Sequence, residues 1–99
     1  MEHLKHLICR YIDETEDAER YATNAEAHKA DNQLSSMFYD LSKQEHEHAE
    51  RIKREIDRHI NSMPAGEERK AWEAVWAYEH EKGMKHIKAA KAMQEMYRA

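Results

Sequence analysis

The stretch LSKQEHEHAERIK, Leu41 to Lys53, decides how this chain is read. It lies inside a helical pattern whose stripe runs Leu34, Phe38, Leu41, Glu45, His48, Ile52 and Ile56, near the 3.6-residue period of an amphipathic helix. A carboxylate and an imidazole one turn apart thus stand on the face the helix is expected to bury. A buried unpaired carboxylate costs several kcal/mol, so such a placement needs a partner.

Working outward, the whole chain reads as three helices. The first spans about residues 2–29, with a stripe of Leu4, Leu7, Ile8, Tyr11, Glu14, Ala18, Tyr21, Ala22 and Ala25. Asp31 suits the N-cap of a second helix, about 32–60. The run Asn61 to Gly66 holds the only proline and is the one clear break. A third helix, about 67–98, carries Trp72, Val75, Trp76, Glu79, Gly83, Ile87, Ala90 and Tyr97 near one face. Short connections make neighbouring helices antiparallel, so the expected fold is an all-α antiparallel bundle, one domain over residues 1–99. The core is thin: Leu, Ile, Val and Phe supply only twelve of 99 residues. Association with a second copy or another protein is therefore expected.

Composition narrows the function classes. The charges are interleaved and net −4, with no basic face that argues for nucleic acid. No apolar run approaches the roughly 18 residues of a membrane helix. Cys9 is the only cysteine, which excludes an intrachain disulfide and points to a reducing, cytoplasmic setting. Ser/His/Asp arrangements, glycine-rich phosphate loops and paired cysteines are missing from the sequence, so hydrolase and nucleotide-binding readings have no residue basis. Eight histidines make metal binding the class to test.

The two turns serve as rulers. Around the first, centred near Lys29 and Ala30, Glu14 and Glu45 are equally distant and therefore level. Around the second, near Met63 and Pro64, His48 and Glu79 are level. Glu14, Glu45, His48 and Glu79 are thus expected at one height on otherwise apolar faces. Carboxylates so placed repel unless one is protonated or a cation lies between them. A divalent ion resolves the repulsion, and Glu-x-x-His aims both side chains of one helix at it. Carboxylate-rich ligation without thiolate suits iron, or manganese, better than structural zinc. The alternative is a hydrogen-bonded polar layer that fixes helix register without an ion.

The residues Glu14 with Tyr21 seven positions later, and Glu45 with His48 in MFYDLSKQEHEHAERI, resemble the ferritin-like superfamily, particularly its rubrerythrin-type branch. The resemblance covers roughly residues 10 to 60. It implies a dinuclear iron site with Glu45 bridging, Glu14 and His48 terminal, and Tyr21 hydrogen-bonded to a ligand. It also implies iron oxidation by oxygen or peroxide. The family's fourth helix carries a second Glu-x-x-His, and this chain has none. Either two copies pair, as in half-bundle members, or Glu79 completes the site within one chain. The third helix, YEHEKGMKHIKAAKAMQEMY, is similar to those of short chains among phage and prophage genes. The thin core, the aromatic-rich third helix and the missing second Glu-x-x-His motivate the competing function, a ferritin-like assembly scaffold without catalysis, as a component or accessory of a virus particle.

The remaining polar residues have plainer readings. Glu79 moves to the rim if the third helix turns by one residue. His46 and Glu47 lie off the stripe and are expected in water. His80, Glu81 and His86 are expected to be solvated or at an interface. His3 and His6 can chelate at i,i+3, with solvation at a frayed end as the default. Trp72 and Trp76 suit the core or a subunit seam, and Gly83 either a close helix approach or room beside the site.

Overall fold

The computed structural model describes residues 2–98; Met1 and Ala99, within the expected domain, lie outside them. Three helices, α1 (Glu2–Ala27), α2 (Asn32–Asn61) and α3 (Glu67–Arg98), pack as an all-α bundle about 54 Å long and 18 by 16 Å across. None is long and apolar enough to cross a membrane. Asp31 caps α2, its side chain accepting from the Leu34 N–H at 3.1 Å, which satisfies one of the first-turn donors. Glu67 and Glu68 open α3, where carboxylates complement the helix dipole.

α1 is the central rod. Its buried residues, including Leu4, Ile8, Tyr11, Thr15, Ala18, Ala22 and Ala25, cover a wide arc that faces α2 on one edge and α3 on the other. α3 packs far more on α1 than on α2.

The buried line of α2 differs from the stripe expected from Leu34, Leu41 and His48. It is Ser35, Ser42, Ala49 and Ile56, one residue further along. One residue turns a helix by about 100°, so Glu45 and His48 stand at the edge of the buried face rather than at its centre. Small side chains explain the choice. Ser42 Oγ comes within 2.6 Å of the Ala18 carbonyl and donates to it, while Gln94 Nε2 donates to Ser42 Oγ at 2.9 Å. That serine ties all three helices where a leucine would hold them apart.

Near the opposite end, Tyr11 is fully buried, packed edge-to-face on Trp76 with ring centres 4.9 Å apart. Trp76 donates from its indole N–H to Asp57 at 2.8 Å and stacks on His80. His80, expected in solvent or at an interface, is therefore partly covered by the core, and burial followed by the Lys53 charge lowers its pKa. His86, with the same expectation, pairs with Glu19 of α1 at 2.6 Å. Trp72 is partly buried against this core.

The Tyr11 hydroxyl is buried without a hydrogen-bond partner, and burial, then the Glu50 and Asp57 charges, push its pKa up to about 12. An unpaired buried hydroxyl carries a desolvation penalty of about 1–3 kcal/mol. Tyr11→Phe keeps the ring and removes that penalty. It is expected to raise the unfolding free energy by about 1 kcal/mol in denaturant titration; a loss of stability would show that the hydroxyl is satisfied after all.

Candidate metal centre

Glu14 reaches α2 from one edge of the α1 arc, flanked by Leu7 and Tyr21 two turns away on either side. Its side chain is only 6% exposed. Across the groove Glu45 is 17% and His48 52% exposed, so the three grade from core to solvent. One ligand atom from each lies within 4.8 Å of the others.

His48 Nδ1 stands 3.6 Å from Glu14 Oε2 and 3.5 Å from Glu45 Oε1. These separations exceed a good hydrogen bond. They fit a shared cation: two ligand atoms each about 2.1 Å from one ion, at a tetrahedral angle, stand about 3.4 Å apart. Glu14 divides its oxygens between two tasks. Oε1 accepts from Arg10 at 2.7 Å, whereas Oε2 is buried without a hydrogen-bond partner. A protonated Glu45 carboxyl that donates to Glu14 would satisfy that oxygen, and a cation would too.

Glu45 shows the cost of the arrangement. Burial first, then the hydrogen bond with Glu14, then the charges of Glu14 and Asp17, raise its pKa to about 7, with Arg10 opposing. Near neutral pH a proton therefore does part of what a divalent ion would do, relieving repulsion between Glu14 and Glu45.

The groove beside the trio is lined by Leu7, Arg10, Arg51, Ile52, Arg54 and Glu55, all from α1 and α2. The site thus opens on the face of the hairpin away from α3. Glu79 is elsewhere. It pairs with Lys82 at 3.4 Å and lines an apolar cleft with Ile8, Ile12, Trp72 and Val75 on the other edge of α1. The reading in which Glu79 completes the site within one chain is corrected accordingly. Two errors compound in it. The α2–α3 partners, Asp57 with Trp76, Ser42 with Gln94 and Ser35 with Tyr97, lie more than a turn further along α3 than a register centred on Met63 and Pro64 gives. Equal height also says nothing about which side of a helix faces the site.

Tyr21, expected to hydrogen-bond a ligand, makes no hydrogen bond to Glu14, Glu45 or His48 among the described residues. Its ring stacks on Phe38 at 6.2 Å, about 10 Å along α1 from Glu14. Glu47 is exposed, and His46 is partly covered and 3.8 Å from Glu50. Sequence reasoning missed Arg10, although its i,i+4 spacing to Glu14 is the signal for such a pair.

The chain matches no protein family, curated protein or solved structure.

Proposed function

We propose that this protein binds divalent metal through Glu14, Glu45 and His48, and that the metal is iron, held as a pair in a dimer and turned over as a ferroxidase. The observation that carries the reading is the 3.5–3.6 Å spacing of His48 Nδ1 from two carboxylate oxygens, one of them buried and unpartnered. Two carboxylates and one imidazole without thiolate favour iron or manganese. The likeness of Glu14, Tyr21, Glu45 and His48 to the ferritin-like pattern supports iron of the two.

A second copy is part of the reading because one chain offers three ligands and exposes them on the face away from α3. Apposing two such faces would give four carboxylates and two imidazoles around two ions, with the exposed His48 edge covered.

Bound iron would supply the electrons: four ferrous ions, at one electron each, would reduce one dioxygen with four protons to two waters. The chain's own residues prepare for this. Glu14 presents Oε2 from a rigid buried position because Arg10 holds Oε1. Glu45, whose carboxyl holds a proton near neutral pH, would exchange it for the ion, and His48 would hold the ion from the solvent side.

The test is anaerobic loading with Fe(II), with iron retained per chain, mass in solution and oxygen uptake as readouts. About one iron per chain, a doubled mass and oxygen consumption are expected, all lost in Glu14→Gln/His48→Ala. Iron retention unchanged by that double substitution defeats the metal centre. Retention without oxygen uptake defeats the ferroxidase reading.

A further inference from the structure

We propose a second cation site, imidazole-rich and selective for a later ion such as zinc, formed by His3, His6, His59 and Glu55 at the end of the α1–α2 groove. These four side chains, with Leu7, line one cleft. His3 and His6 stand three residues apart on α1, so both project over the same face. His59 faces them from the last turns of α2, its ring centre 6.0 Å from that of His3 and nearly perpendicular to it.

That spacing lies within the range two imidazoles on one ion can span, although as placed no three of these side chains bring ligand atoms within 4.8 Å of one another. With Zn–N bonds of about 2.1 Å, two imidazole centres on one ion stand roughly 5 Å apart at a tetrahedral angle and 6.5 Å when opposed. The side chains of His3 and His6 are exposed and that of His59 is half-buried, so turning the rings to aim a nitrogen inward needs only ordinary rotamer changes.

Glu55 adds the negative charge. Both hydrogen bonds from Arg58, at 3.1 and 2.7 Å, fall on its Oε2 and leave Oε1 free of them, and Glu55 lines the cleft. Three imidazoles and one carboxylate make a donor set of zinc or copper character, unlike the carboxylate-rich trio. Leu7 and Glu55 line both clefts, so the two ligand sets share one groove.

The proposal does not rest on the iron reading, and its test keeps them apart. Zinc chloride is titrated calorimetrically into Glu45→Gln/His48→Ala, which lacks the carboxylate centre. One zinc per chain is expected, without change in mass. Adding His59→Ala, or separately His3→Ala on the exposed first turn, is expected to weaken binding at least about tenfold, with helix content by circular dichroism preserved. Loss of zinc in the starting double variant, affinity unchanged by both histidine substitutions, or binding only with doubled mass would each overturn the site.

Discussion

Replacing Glu45 with glutamine is expected to stabilise the metal-free protein by about 3 kcal/mol at pH 8, and to abolish its stabilisation by manganese. The folded Glu45 carboxyl titrates near 7 against 4.5 for the ordinary group, because of burial and then Glu14. A raised acid pKa means the folded chain keeps a proton that the unfolded chain releases. Stability is therefore lost as pH climbs from about 4.5 to 7, at about 1.4 kcal/mol per unit, and the full penalty is present above 7. Glutamine cannot ionise and escapes it. The advantage of the variant should vanish near pH 4, where both forms of the wild-type side chain are protonated. With manganese present the gap closes: the wild type gains about 2.7 kcal/mol at a hundredfold excess over Kd, which offsets most of the penalty, and the variant gains little. Denaturant titrations at pH 4 and 8, in chelator and in manganese, supply the four comparisons. Equal stabilities in chelator at pH 8 would show that Glu45 is not strained in the fold. Equal gains with metal would show that it is not a ligand.

The same residue marks where the sequence was legible. A two-helix hairpin with a short turn leaves little freedom in register, so symmetric positions about Lys29 and Ala30 meet: Glu14 with Glu45, and Tyr21 with Phe38. The second connection is longer and holds Pro64, and its length hid the shift that brings Asp57 to Trp76. The orientation of α2 was hidden for a different reason. Its deepest line contains Ser35 and Ser42, fully buried yet polar, and a pattern search weighted on apolar residues passes over them for Leu34 and Leu41. A serine becomes a core residue only when a neighbouring carbonyl takes its proton, as Ala18 does here, and that partner is 24 residues away. His48 is consequently half-exposed rather than buried. That exposure is what makes the trio accessible to an ion.

Gly83→Ala is expected to destabilise the protein by about 2 kcal/mol or more, although alanine is the better helix former by about 1 kcal/mol. A Cβ at Gly83 would lie 2.3 Å from Tyr11 Cε2 and 3.0 Å from Cζ. The ring has no retreat, being fully buried and packed against Trp76 at 4.9 Å. Either the ring leaves its rotamer or α1 and α3 separate, and both forfeit packing across the main helix interface. For a domain of this size the melting temperature should fall by roughly 10 °C. The consequence reaches the metal centre, because Tyr11 and Glu14 are one turn apart on the same helix. Rolling α1 to relieve Tyr11 also swings Glu14 Oε2 away from Glu45 and His48, so divalent-ion affinity should weaken together with stability. Tyr11→Leu in the Gly83→Ala background removes the obstructing ring atoms and should restore much of both, giving a coupling energy above about 1 kcal/mol in a double-mutant cycle. A Gly83→Ala protein that melts higher than wild type would mean that the glycine is an ordinary helix weakness. In that case α3 would have no hold on the geometry of the site.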